Sequence, residues 1–170
     1  TYAALLRMSC ANSGNDHRLG ANEAPPAIVS IFLGESLTEI LEKLANGKPV
    51  EARNGGRLEI GVTTLPKLPK DLTDRNRTSP FAFTGNKFEF RMVPSSESVA
   101  GPNVVLNTAV AEVLSQFADM LESASDPHRE VEKIVKETYR AHKRIVFNGN
   151  NYAPEWIKEA ERRGLPNIPN

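Results

Sequence analysis

Lys87-Phe88-Glu89-Phe90-Arg91 sets charged and aromatic residues in alternation. In a strand, successive side chains point to opposite faces, so Phe88 and Phe90 share one face and Lys87, Glu89 and Arg91 the other. The aromatic face is expected to enter the core. The opposite face carries cation, carboxylate, cation at steps of roughly 6–7 Å along the strand. Such a row either neutralises itself at a solvated surface or lines a cavity that binds a metal and anionic groups. Both readings stay open on this stretch alone.

Three other clusters share the theme. His17 to Pro26 is a Gly- and Asn-containing loop with one Arg, Arg18, and one carboxylate, Glu23, stiffened at its exit by Pro25-Pro26. A loop of this kind either closes over a substrate, with its carboxylate taking a proton, or is an ordinary polar surface loop. His17 has no second ligand at a helical or strand spacing and reads as a solvated histidine. Asp74-Arg75-Asn76-Arg77-Thr78-Ser79 offers two guanidinium forks among hydroxyl and amide groups, a chemistry suited to phosphate; the plain alternative is a solvated loop with Asp74 paired to Arg75. Thr84-Gly85-Asn86 reads as a hairpin turn. Together these residues suit a multiply anionic ligand: Glu89 as an oxygen ligand to a hard divalent cation, Lys87 and Arg77 for phosphate, Arg18 and Arg91 for a carboxylate. One carboxylate does not make a magnesium or manganese site, so further ligands have to come from elsewhere.

The 170 residues are enough for one domain with a real core. Lys plus Arg and Asp plus Glu are both 21, which argues against a nucleic-acid partner held by a broad basic surface. The single cysteine, Cys10, forms no internal disulfide and is expected to pack as a small apolar residue; a cytoplasmic setting fits. No run approaches the 18 or so consecutive apolar residues of a membrane span, so no membrane partner is expected. The start at Thr1 inside an apolar stretch, and a tail from Gly164 to Asn170 with turn chemistry, suggest a piece of something larger.

The elements that must position these groups follow from periodicity and breakers. Residues 2–10 favour a helix. Asn12 to Asn22 reads as a loop. Ala27 to Leu33 is a buried strand or a helix segment. Ser36 with Glu39 looks like a capping box for a helix through Ile40, Leu41 and Leu44, stopped at Gly47. Arg57 to Thr64 alternates like a strand, Leu65 to Asp74 is a loop or edge, and Phe81 to Phe83 pairs with the opening strand as a hairpin. Pro102 suits a first helical position, followed by an apolar stripe of Val104, Val105, Val110, Val113, Leu114, Phe117 and Leu121. Asp126-Pro127 starts a helix whose apolar spacing runs on to Ile145 and Val146, and a short helix from about Pro154 to Arg163 stops at Gly164. Strands first and helices after them make an α+β arrangement.

At these residues the sequence resembles glutamine synthetase, most of all its long type III bacterial form, as a segment of the catalytic region. The phrases are GNDHRLGANEAPPAI (14–28), DRNRTSPFAFTGNKFEFRMV (74–93) and NGNNYAPEWIKEAERRGLPN (148–167). The resemblance implies antiparallel strands of that catalytic domain followed by a helical C-terminal third: residues 1–124 in the catalytic domain, and 125–170 as a helical extension. It implies ATP-dependent ligation of ammonia to glutamate through a γ-glutamyl phosphate, with Mg2+ or Mn2+, in a large homo-oligomeric ring, a dodecamer in the full enzyme. Carried over residue by residue, Glu89 falls on a metal glutamate, Arg91 and Arg18 on glutamate-binding arginines, and Lys87 on a nucleotide-phosphate position. Arg77 falls on the arginine that contacts the transferred phosphoryl group, and Glu23 on the flap glutamate that takes a proton from ammonium.

There are departures from the type I pattern. Its loop R-L-V-P-G-Y-E-A-P is one residue longer than Arg18 to Glu23. It also has an Arg where this chain has Ala82, and Lys87 replaces an Arg. The family's remaining metal ligands and ammonium site lie upstream of the matched segment, so the chain alone is expected to be silent. The competing reading is a non-catalytic oligomerisation or anion-binding module, in which the helical third makes subunit contacts and the strand row is a surface ion-pair ladder.

Overall fold

The computed structural model describes residues 1–21, 24–49 and 78–168, and the backbone of 57–58 and 68–69. Glu23, the expected strand beyond Leu58, and Asp74 to Arg77 lie outside the described residues. The elements are α1 (Ala3–Met8), α2 (Ser13–Arg18), α3 (Gly34–Ala45), β1 (Arg57–Leu58), β2 (Leu68–Pro69), β3 (Phe81–Phe83), β4 (Phe88–Phe90), α4 (Ala100–Glu122), α5 (Pro127–His142) and α6 (Pro154–Arg162), with a 3-10 turn at Lys143–Ile145. Helices combined with the antiparallel pairs β1–β2 and β3–β4 make the arrangement α+β.

Within 27–33, residues 28–32 make the bridges that join these parts, and Leu33 already has helical backbone angles as it enters α3. The Ile31 N–H donates to Ile145 O at 2.8 Å, and its carbonyl accepts from the Phe147 N–H at 2.9 Å. Phe32 turns its own pair the other way, donating to Phe81 O and accepting from the Phe83 N–H. Alternate residues of one extended chain therefore bond to opposite neighbours, as a central strand does. The order across the ladder is Val146, Ile31–Phe32, β3, β4. Further back, Ile28 pairs with Asn167, and the Ile168 N–H reaches Ala27 O at 3.0 Å. The tail expected to be bare turn chemistry is thus anchored through Ile168, with Leu165 buried.

Several boundaries differ from the sequence reading, each for a local reason. Asn12 to Asn22 is not all loop: Asn12 caps α2 by accepting from the Asn15 N–H, and Asp16 sits in its first turn. Ser36 does not cap α3. The Asn148 side chain does, its Oδ1 accepting from the Leu33 and Gly34 N–H groups at 3.1 Å each. Helix α4 begins at Ala100, two residues before Pro102, which still lies in the first turn, where a missing N–H costs no intrahelical bond. Helix α5 stops at His142, so Ile145 lies in the 3-10 turn and Val146 in the ladder. Asp126 caps α5 as expected, and Gly47 (φ +67) and Gly164 (φ +66) end α3 and α6 in the left-handed region that glycine tolerates. Ile40, on the apolar face of α3 with Leu41 and Leu44, is 42% exposed.

Two buried clusters hold the segment from either side. Cys10, Leu19, Ala24, Ala27 and Met92 form one, beside helix α2, which ends at Arg18. Ile28, Trp156, Ala160 and Leu165 form the other, with the Phe147 ring stacked on Trp156 at 3.7 Å between centroids. Arg7, buried in α1, pairs with Asp16 of α2 and donates from Nε to Ile168 O at 2.9 Å, so three separate stretches converge on one guanidinium. Tyr139 of α5 donates to Glu42 of α3 at 3.0 Å. Burial and that acceptor push its pKa up to about 12, which keeps it a donor at any ordinary pH.

Helix α4 packs against α1 and α5 yet leaves Val104, Val110 and Leu114 exposed. Its 23 residues are long and apolar enough to cross a bilayer, which a count of consecutive apolar residues did not signal. An apolar groove of about 410 Å³ runs along it, lined by Leu6, Val29, Val105, Ala109, Val113 and His142 among others.

Trp156→Ala is expected to lower unfolding free energy by about 3–5 kcal/mol, because the void at the Phe147 stack cannot close fully. Ile157→Ala, at a 43% exposed position on the same helix, is expected to change it by about 0.5 kcal/mol or less. Chemical denaturation of both variants measures the difference.

Candidate functional site

The hairpin register is Phe81↔Phe90, Ala82↔Glu89 and Phe83↔Phe88. Directly opposed residues share a face, so the four phenylalanines lie together, and Phe81 contacts both Phe88 and Phe90 at 5.6 and 6.0 Å between centroids. The aromatic face is only partly covered: Phe90 packs on the Met92 cluster, while Phe88 is 50% exposed. The turn closes with the Thr84 N–H on Lys87 O at 2.9 Å, which places Lys87 at the mouth of β4.

On the other face the ionic row exists and pairs within itself. Arg91 donates from Nε and Nη2 to Glu89 Oε2 at 3.1 and 2.9 Å. Lys87 Nζ stands 3.8 Å from Glu89 Oε1, too far for a hydrogen bond, and its side chain is well exposed. Ala82 opposes Glu89, so the carboxylate takes its cations from its own strand rather than from across the ladder. The Arg91 hydrogen bonds, and more weakly the Lys87 charge, hold the Glu89 carboxyl below the usual glutamate range. Glu89 is therefore ionised near neutrality, and among the described residues its Oε1 takes no hydrogen bond at normal distance, a chemistry open to a hard cation. Among the described residues no group of three or more Asp, Glu, His or Cys stands together.

Arg18 reaches the same strand from α2. Its Nε and Nη2 donate to Asn15 Oδ1 at 3.0 and 2.8 Å, and Nη2 also donates to Met92 O at 3.0 Å, one residue beyond Arg91. Both acceptors are neutral, so among the described residues this half-buried guanidinium has no carboxylate partner. The fold thus brings Lys87, Glu89 and Arg91 into one row and sets Arg18 at its end. Glu23 and Arg77 are outside the described residues. The apolar cavities lie elsewhere: that beside α3 and α5 includes Phe88 and that beside α4 includes Phe81, both on the aromatic side of the hairpin.

Three buried or half-buried asparagines went unread in the sequence. Asn15 orients Arg18, and Asn148 caps α3. Asn151, buried, takes the Thr78 hydroxyl on its Oδ1 at 3.3 Å, donates its backbone N–H back to Thr78 Oγ1 at 2.9 Å, and gives its Nδ2 to Ser30 Oγ at 3.1 Å. It joins the segment 27–33 to the residue that follows Arg77. The signal was present as asparagines inside two long distinctive phrases, but asparagine there also spells turn chemistry.

The sequence profile of the glutamine synthetase C-terminal domain matches residues 130–170. Over 171 aligned residues, 99% of this chain, the sequence is 50% identical to Type-3 glutamine synthetase of Dictyostelium discoideum. By sequence, the chain belongs with the glutamine synthetases. It is 46% identical to a glutamine synthetase of Butyrivibrio fibrisolvens over 98% of its length and 45% identical to one of Bacteroides fragilis over 96%. The chain spans about a quarter of the length of these curated glutamine synthetases, 23–24% in each case.

A carboxyl held low by its partners keeps their support above its ordinary pKa and loses it as pH falls through the lowered value. In an NMR pH titration, Glu89 is expected to titrate below ordinary glutamate. Arg91→Ala should return the midpoint toward the ordinary value, and Lys87→Ala should move it less. Equal shifts from the two substitutions would contradict the pairing described above.

Proposed function

We propose that this chain is the part of a type III glutamine synthetase that grips glutamate and the nucleotide phosphates during ATP-dependent ligation of ammonia to glutamate. In this reaction the γ-carboxylate oxygen of glutamate attacks the terminal phosphorus of ATP and ADP leaves. Ammonia then attacks the acyl carbon of the γ-glutamyl phosphate, inorganic phosphate leaves, and the nitrogen gives up a proton. Arg18 and Arg91 bind the substrate carboxylate, Lys87 and Arg77 the nucleotide and transferred phosphates, and Glu23 shields the intermediate and takes the proton. Catalysis of this kind is mainly positioning and charge neutralisation, and exclusion of water protects the acyl phosphate.

Mg2+ or Mn2+, when bound, neutralises phosphate charge and lowers the barrier to transfer. Among the described residues Glu89 would hold it, through its carboxylate. The remaining ligands belong to the rest of the same polypeptide. A cytoplasmic enzyme assembled as a homo-oligomeric ring, a dodecamer, goes with this reading.

The observation that carries the reading is Arg18. A surface ion-pair ladder accounts for Lys87, Glu89 and Arg91, and an assembly module accounts for the exposed side of α4. Neither calls for a guanidinium at the end of the strand held by an amide and a backbone carbonyl, with no anion among the described residues. A cation left uncompensated in this way is a site for an anionic ligand.

In the full-length enzyme carrying this segment, Glu89→Ala is expected to lower metal-dependent glutamine formation from glutamate, ammonia and ATP by at least about a hundredfold. A rate equal to the unsubstituted enzyme would reject the metal role of Glu89, and with it the catalytic reading of the strand.

A further inference from the structure

Asn15 is fully buried, and each hydrogen-bonding position of its side chain is in use. Its Nδ2 donates to Cys10 O at 2.6 Å and Met92 O at 3.0 Å, and its Oδ1 accepts twice from Arg18, at 3.0 and 2.8 Å. The environment admits one orientation of the amide: flipped, it would set NH2 against the guanidinium and an oxygen against two carbonyls. Three parts of the chain therefore meet at this amide, namely the end of α1, helix α2 and the end of β4. The Met92 carbonyl accepts from both Asn15 and Arg18, so the guanidinium is fixed against the strand by two neutral groups.

We propose that Asn15 is a positioning residue that aims the Arg18 guanidinium at the substrate carboxylate, and that it is an amide so that Arg18 keeps its full charge for that ligand. The inference rests on the reading of Arg18 as a carboxylate-binding residue. A guanidinium binds a carboxylate well when its planar fork is already oriented, and a long side chain fixed before binding loses less entropy on binding. An aspartate at this position would have nearly the same shape. It would pair with Arg18 and compete with the ligand, and it would press a negative oxygen on the Cys10 and Met92 carbonyls. The amide meets both requirements: it accepts from the cation without neutralising it, and it donates to the carbonyls behind it.

The test is steady-state kinetics of the full-length enzyme carrying this segment, with glutamate and ATP varied separately, for Asn15→Asp, Asn15→Ala, Arg18→Gln and the Asn15→Asp/Arg18→Gln double variant. Asn15→Asp is expected to raise the glutamate KM about tenfold or more, the size of one charge-assisted hydrogen bond, and to leave the ATP KM within about twofold. The double variant should be no worse than Arg18→Gln alone, because Asn15 acts through Arg18. Asn15→Ala adds no charge and should raise the glutamate KM in the same selective way, so the outcome does not hang on one variant folding. An unchanged glutamate KM in both Asn15 variants, with a raised one in Arg18→Gln, would overturn the positioning role alone. So would equal rises for glutamate and ATP, or additive effects in the double variant. An unchanged glutamate KM in Arg18→Gln would instead overturn the assignment of Arg18 on which the inference stands.

Discussion

The backbone of residues 27–33 is the constraint that orders the rest of the described structure. It bonds on one side to β3 through Phe32 and on the other to residues 145–147 through Ile31, while Ile28 and Ala27 hold the tail. A buried peptide group left without a partner costs about as much as a lost hydrogen bond, so a segment that satisfies neighbours on both sides fixes their relative positions. Its chemistry suits the task. Ala27, Ile28 and Phe32 are buried, and the one buried hydroxyl, Ser30, is taken up by Asn151. The hairpin bearing the ionic row is thereby registered near helix α2, which bears Arg18.

The site is built by matching acceptors to cations. Arg7 is paired with a carboxylate, Asp16, and serves to join α1, α2 and the tail. Arg91 is paired with Glu89 and shares that carboxylate with Lys87. Arg18 alone of these is supported by neutral oxygens. The distinction is chemical rather than positional: the Arg7 guanidinium, neutralised by Asp16, is a structural tie, and the Arg18 guanidinium, supported without neutralisation, remains available to an external anion. Exposure argues the same way for the row itself, since ion pairs in contact with water contribute little to stability.

What the sequence made legible follows from periods and punctuation. The alternation at 87–91 gave β4 and the faces of its residues, Asp126-Pro127 gave the start of α5, and Gly164 gave the stop of α6, because each signal acts within a few residues. The failures came where a distant group took over a local role. Ser36 had the local pattern of a cap, but Asn148, more than a hundred positions away in sequence, satisfies the start of α3. The polar run 12–22 looked like loop because its Asn and Asp residues serve turns as readily as they serve caps, and the capping by Asn12 turned it into α2. The spacing through Ile145 and Val146 continued past the end of α5, because a ladder position buries apolar side chains as a helix does. Of the candidate residues, the shared face of Lys87, Glu89 and Arg91 was readable from period alone. The support of Arg18 was not, since it depends on a carbonyl of β4's exit that no local pattern predicts.

Cys10 has a consequence for anyone handling this protein. Its sulfur is wholly shielded, within reach of the Leu6 and Arg7 carbonyls, and burial raises its thiol pKa above the ordinary value. Thiolate, the nucleophilic form, is therefore scarce while the cluster stays closed. An alkylating or disulfide-exchange reagent can only react during openings of the packing that also seats Leu19 and Met92. The lone sulfhydryl is thus a native chronometer: its labelling rate reads how often the ground beside helix α2 comes apart, with no probe engineered in.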